Sequence, residues 1–212
     1  PVSMAGGRML FYVTGPTEPG VFYLYDQNAA SIDPLYMSRP GLPLGALAEV
    51  EIINYRTRDG LELTGYLTLP EGGARETTPL VVMPHGGPES RDVYDFDPIA
   101  QFLAMNGYAV FQPNFRGSSG FGEAFARSGY HQWGLAMQDD ITDGVQHLID
   151  QRRAGADRIC IMGFSYGGYA ALMGGATTPD LYQCVIACAS VTALPAFVNS
   201  YAWVGVIPSL HG

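Results

Sequence analysis

The rhythm of apolar and polar positions changes near residue 48. Before it, two short runs rich in aromatic and β-branched residues, 8–14 (Arg-Met-Leu-Phe-Tyr-Val-Thr) and 21–26 (Val-Phe-Tyr-Leu-Tyr-Asp), flank a Gly-Pro-Thr-Glu-Pro-Gly segment. Such runs bounded by Gly and Pro predict two strands and a turn. Residues 27–47, with Pro34, Pro40 and Pro43, show no period and read as an irregular linker. From Ala48 the pattern becomes regular. The runs 48–57 and 61–69 meet at Arg58-Asp59-Gly60, which predicts a hairpin. Apolar runs at 79–84, 108–112, 158–162 and 184–190 then alternate with helix-like stretches at 96–106, 138–153 and 166–176. In the middle stretch Ile141, Val145, Leu148 and Ile149 fall at i, i+4, i+7 and i+8, one apolar helix face. Gly107 stands where a helix ends with a C′ glycine. Strand–helix–strand alternation predicts an α/β fold with a mainly parallel, doubly wound sheet and helices on both faces.

Composition adds limits. The 212 residues are 47% hydrophobic and 15% charged, enough for a sizeable core. The length alone suggests one domain or slightly more. The 27 glycines and 15 prolines imply many turns. The net charge is −9, which argues against partners such as nucleic acid or an anionic membrane. All 11 basic residues are Arg. Without Lys there is no Schiff base, Ser–Lys dyad or Walker lysine. Cys160, Cys184 and Cys188 lie in apolar runs and read as buried free thiols. No Cys or His follows Cys184 and Cys188 at zinc spacing, so no metal is expected. No apolar run reaches the length of about 18 residues that signals a membrane span, and no signal-peptide pattern opens the chain. It begins Pro-Val-Ser, which suggests a start inside a longer protein. Free thiols fit a cytoplasmic location.

Chemistry concentrates in three motifs. Gly163-Phe164-Ser165-Tyr166-Gly167-Gly168 lies between a predicted buried strand and a predicted helix, the context of a nucleophile elbow. A sharp strand-to-helix turn puts the Ser165 hydroxyl at the carboxyl edge of the sheet, beside the free N–H groups of a helix start. His85-Gly86-Gly87-Pro88 directly follows the strand 79–84. In α/β-hydrolases a Gly-rich loop at this place supplies the second oxyanion-hole N–H. The backbone N–H groups of Gly87 and Tyr166 are the expected pair, with Gly86 the near alternative to Gly87. His85 reads as loop and pocket support rather than as the base. The third motif, 113–122 (Pro-Asn-Phe-Arg-Gly-Ser-Ser-Gly-Phe-Gly), follows the strand 108–112. Its glycines do not match a nucleotide loop. Arg116 is expected to pair with a carboxylate beneath it.

In this order and spacing the three motifs resemble the prolyl oligopeptidase family of α/β-hydrolase serine peptidases, over roughly residues 48–200. The His-Gly-Gly-Pro form looks like its acylaminoacyl-peptidase and dipeptidyl-peptidase-like branches. The resemblance implies Ser165 as nucleophile, short peptide substrates, a catalytic domain over 48–212, a linker over 28–47, and the end of a β-propeller blade over 1–27. It implies no cofactor, and leaves oligomerisation open. A base and its orienting carboxylate should follow the nucleophile. After Ser165 come only Asp180, at the wrong edge of the sheet, and His211, second from the end. The expectation is therefore a C-terminally incomplete catalytic domain, inactive by itself. An esterase on the same fold, or a non-catalytic binding module, are the rival readings.

Overall fold

The computed structural model describes residues 3–42 and 44–202. Four strands come first: β1 (Ser3–Ala5), β2 (Arg8–Gly15), β3 (Glu18–Asp26) and β4 (Ser31–Met37). They form an antiparallel meander in chain order. The expected pair of strands is thus a sheet of four, and β4 occupies part of the stretch read as irregular. Pro34 explains why it was hidden. It lies opposite Tyr23 at a register shift, on the outer strand, where a missing N–H breaks no ladder beyond it.

The second sheet holds β5 (Val50–Arg56), β6 (Glu62–Thr68), β7 (Leu80–Val82), β8 (Ala109–Asn114), β9 (Ile159–Phe164) and β10 (Cys184–Cys188), in the order β10-β9-β7-β8-β6-β5. The four strands β7 to β10 are mutually parallel, and β5–β6 is the expected antiparallel hairpin. The helices are α1 (Pro98–Met105), α2 (Glu123–Arg127), α3 (Ala136–Asp150), α4 (Tyr166–Thr177) and α5 (Leu194–Ala202).

Strand alternation divides the core in two. Val82, Phe111, Ile159 and Ile161 pack with Ile141, Val145 and Leu148 of α3 and Ala170 of α4. Val81, Met83 and Val110 point the other way, onto Ala100 of α1. Gly144 lets α3 approach closely: a Cβ there would stand 2.7 Å from the Phe111 ring and 2.9 Å from that of Tyr55. Asp97 caps α1, accepting from the N–H groups of Ile99 and Ala100 at 2.8 Å each, with Pro98 in the first turn. The helix ends at Asn106, and Gly107 follows with φ +91°.

Two expectations about the cysteines are corrected. The strand β10 is an edge strand, with Val185 38% and Ile186 46% exposed, so its apolar run is not buried. Cys160 and Cys184 are not free thiols. They stand directly opposite each other in the β9–β10 register, with Cα atoms 4.7 Å apart, and form a disulfide. Only Cys188 is a free thiol. The pairing depends on strand order, which residue spacing does not reveal. It also removes the argument for a reducing compartment.

The strand order supplies the site. From β7 the chain crosses to β8 on one side, and later returns to β9 on the other. The carboxyl ends of β7 and β9 therefore lie side by side at the point where the strand order reverses, the place where open α/β sheets bind ligands.

Candidate active site

Ser165 sits between β9 and α4 with φ 54° and ψ −118°. A non-glycine residue held there costs on the order of 1–3 kcal/mol and persists only where its surroundings enforce it. They do. The Ser165 N–H donates to the Cys188 carbonyl at 3.0 Å, and the Tyr169 N–H donates to the Ser165 carbonyl at 3.1 Å. Gly163 and Gly167 are so close that a Cβ on Gly163 would strike the Gly167 carbonyl, and one on Gly167 would strike the Pro84 carbonyl. Ser165 itself is exposed, and among the described residues its hydroxyl has no hydrogen-bond partner.

The loop after β7 packs against this turn. A Cβ on Gly86 would lie 3.3 Å from the Phe164 carbonyl oxygen and 3.6 Å from Ser165 Cβ. Gly87 has φ +123°, and a Cβ there would lie 2.8 Å from the Glu89 nitrogen, so only Gly fits. Tyr166 is the first residue of α4, so its N–H has no partner within the helix. Gly86 is thus the residue of this loop in contact with the Ser165 turn, Gly87 is the next residue along it, and Tyr166 opens α4 directly after Ser165.

His85 fastens the loop from below. Its ring is buried, stacked 4.3 Å from Phe115. Nδ1 lies 2.8 Å from the Gly86 carbonyl and Nε2 lies 2.8 Å from Ser118 Oγ. The Ser118 hydroxyl also lies 2.6 Å from the Phe115 carbonyl. A carbonyl only accepts, so Nδ1 carries the proton. Burial pushes the imidazole pKa down to about 4, against the Gly86 hydrogen bond, which raises it. The ring is therefore neutral near pH 7, and its Nε2 lone pair and the Phe115 carbonyl are two acceptors around the single Ser118 hydroxyl proton. Both nitrogens are used inside the protein, which leaves none for Ser165.

Ser118 belongs to the loop after β8, and Arg116 anchors that loop. Its Nε and backbone N–H both donate to Asp140 Oδ2 at 2.8 Å, and its Nη2 donates to Asp140 Oδ1 at 2.7 Å. Asp140 is fully buried on α3. Burial pushes its carboxyl pKa up, and the Arg116 hydrogen bonds pull it back down. Nη2 reaches the half-exposed Asp59 as well.

A family model described as the prolyl oligopeptidase family matches residues 94–206. The chain belongs to this family. It is 42% identical over 173 residues to dipeptidyl aminopeptidase BIII of Pseudoxanthomonas mexicana, covering 78% of this chain and 25% of that one. It is 33% identical over 129 residues to the acylamino-acid-releasing enzyme of Sus scrofa, covering 60% of this chain and 18% of that one. The acylaminoacyl peptidase structure of Pyrococcus horikoshii superposes with a TM-score of 0.76 at 30% identity, over 93% of this chain and 31% of that one. The chain thus spans less than a third of the length of these relatives, and its fold is that of the α/β-hydrolase peptidases among them.

One feature of this family member was not visible from its motifs. Trp133, from the loop before α3, meets Tyr166 edge-on at 4.6 Å and approaches Tyr169 at 5.4 Å and Phe197 at 6.4 Å. These rings make an aromatic wall beside the elbow. Tyr166 is almost wholly buried, which pushes its phenol pKa up, and its hydroxyl points at Met137 Sδ, 3.6 Å away. Trp133 lies in an aperiodic loop, so no spacing marks it. Asp180 lies in the exposed turn before β10, at the edge of the sheet opposite Ser165. His211 lies outside the described residues. Among the described residues no histidine hydrogen-bonds Ser165: His131 is exposed, and His147 stands against Tyr55 near the end of α3.

Proposed function

We propose that this chain carries the nucleophile and the oxyanion hole of a serine peptidase that cleaves short peptides through an acyl-enzyme. The single observation that carries the reading is the exposed Ser165 held at φ 54° in a turn closed by Gly163 and Gly167, with Gly86 of the loop after β7 packed against it. Ser165 Oγ attacks the scissile carbonyl and its proton passes to a general base. The carbonyl oxygen becomes negative and accepts the N–H groups of Gly87 and Tyr166. Collapse of the tetrahedral intermediate expels the leaving amine, which takes the proton from the base. Water then releases the acyl group by the same steps. Each oxyanion donor contributes about 3–4 kcal/mol in serine peptidases.

The base and its carboxylate belong, in this reading, to residues outside the described ones, because both nitrogens of His85 are engaged and Asp180 lies at the wrong edge. The four-stranded meander of residues 3–37 supports its reading as a propeller blade, since up-and-down four-stranded sheets build propellers. The 212 residues alone are expected to show no turnover.

The experiment uses the protein from the full reading frame that contains this sequence. Aminoacyl and dipeptidyl p-nitroanilides are compared with short acyl p-nitrophenyl esters, for the wild type and Ser165→Ala. The reading expects anilide turnover that Ser165→Ala abolishes. Turnover of esters without anilides would replace the peptidase with an esterase, and anilide turnover retained by Ser165→Ala would remove the nucleophile.

A further inference from the structure

Arg91 differs from every other arginine of the chain. All 11 basic residues are arginines and all lie among the described residues. Ten of them meet a carboxylate, a backbone carbonyl or a ring. Arg91 has no ion pair or hydrogen bond among the described residues. Its neighbours in sequence leave it free: Glu89 forms no ion pair, and Asp92 Oδ1 faces Gln112 Nε2 at 3.3 Å. It lies near the Tyr66 phenol, but in a chain of net charge −9 a cation without an ion pair stands out.

Its place is defined. Ser90 packs on Gly87, where a Cβ would lie 2.9 Å from the Ser90 nitrogen and 3.1 Å from Ser90 Cβ. The backbone on either side is pinned, because the Ser119 N–H donates to the Ser90 carbonyl at 2.8 Å and the Asp92 N–H donates to Asn114 Oδ1 at 2.9 Å. The guanidinium lies directly over Gly120, so close that any Cβ there would collide with it. Arg91 is therefore an exposed guanidinium on a fixed stem, one tight turn from the Gly86–Gly87 loop and over the loop that follows β8. An extended peptide advances about 3.3–3.6 Å per residue, so the residue that a chain bound at Ser165 would present to Arg91 is set by how many residues span from the scissile bond to the loop over Gly120.

We infer that Arg91 is a specificity residue that binds a carboxylate of the peptide substrate, the C-terminal carboxylate of a short leaving segment. The inference rests on the peptidase reading above. A planar guanidinium pairs a carboxylate bidentately. The overall negative charge of the chain repels such a substrate, and an unpaired cation beside the site offsets that repulsion locally.

The test again uses the protein from the full reading frame. The acyl part that performs best as a p-nitroanilide is placed before Ala-Ala-OH, before Ala-Ala-NH2, and before Ala-Glu-NH2. The readout is kcat/KM of each carboxylate peptide divided by that of Ala-Ala-NH2. The wild type is expected to favour Ala-Ala-OH about tenfold. Arg91→Gln should bring the ratio close to one, and Arg91→Lys should leave it between. A preference for Ala-Glu-NH2 equal to that for Ala-Ala-OH, lost in Arg91→Gln, also supports carboxylate binding and makes a side chain an equal source. A wild-type ratio near one, or a ratio unchanged in Arg91→Gln, overturns the inference while anilide turnover leaves the peptidase reading standing. If no anilide or peptide is cleaved, the peptidase reading fails and the inference falls with it.

Discussion

Removing the Asp140 carboxylate should destabilise the fold around the six-stranded sheet far more than removing the whole ion pair. Asp140 is fully buried, and the Arg116 side chain is only 11% exposed. Asp140→Ala strips three N–H donors of their acceptor at once: the Arg116 backbone amide, Nε and Nη2. Asp59 still holds one Nη2 contact, but it is half exposed and replaces none of the others. A buried charge that loses its partner costs about 3–5 kcal/mol. The double variant Arg116→Met/Asp140→Leu removes the stranded charge and leaves one backbone N–H unpaired, a residual cost of about 1–3 kcal/mol. Urea unfolding, followed by tryptophan fluorescence since Trp133 packs over the same domain core, measures each variant. Arg116→Met adds a pH signature. Without Arg116 the Asp140 pKa rises further above its unfolded value, so the folded state holds the proton more tightly. Stability is then present below the unfolded pKa and lost as pH rises, and the deficit of Arg116→Met against wild type should grow from pH 4 to pH 8. A cost below about 1 kcal/mol for Asp140→Ala, or a double variant as unstable as the sum of the singles, would refute this account of the loop.

Three further outcomes are expected. Burial first, then the Asp97 charge, raises the Asp92 pKa to about 7, against one Gln112 hydrogen bond, and its Oδ2 has no partner. A raised carboxyl pKa means stability is lost as pH climbs from about 4 through 7, so Asp92→Asn should gain melting temperature over wild type increasingly from pH 5 to pH 8. Gly167→Ala should lower anilide turnover at least a hundredfold and destabilise by about 1–3 kcal/mol, because its Cβ strikes the Pro84 carbonyl; turnover within threefold of wild type contradicts the packing of the elbow. Alkylation before mass spectrometry should modify Cys188 alone among the three cysteines of this sequence, and all three after reduction; three modified thiols without reduction would exclude the Cys160–Cys184 bridge.

The parallel sheet was legible because its central strands are buried on both faces, which forces apolar runs such as Leu80-Val81-Val82 and Ile159-Cys160-Ile161. β4 was not, because a strand held by backbone pairing to one neighbour needs no apolar pattern and tolerates Pro34 at a bulge. Cys184 to Cys188 misled in the opposite direction: an apolar run marks a strand but does not say whether it lies at the edge. The elbow was readable because its glycines are required sterically, Gly163 against Gly167 and Gly167 against Pro84. The tether of His85 to Ser118 and the aromatic wall of Trp133 join residues from separate loops, and only the fold brings those together. Arg91 could not be singled out from sequence at all, since its distinction is the absence of an ion pair or hydrogen bond among the described residues.

The central claim is that Ser165 is an activated nucleophile. A fluorophosphonate probe reports this directly, because it phosphonylates only an activated serine. The protein from the full reading frame should take up one equivalent, and peptide mapping should place it on Ser165 within Gly163-Phe164-Ser165-Tyr166-Gly167. Ser165→Ala should take up none. Labelling at another residue, or equal labelling of Ser165→Ala, would contradict the account.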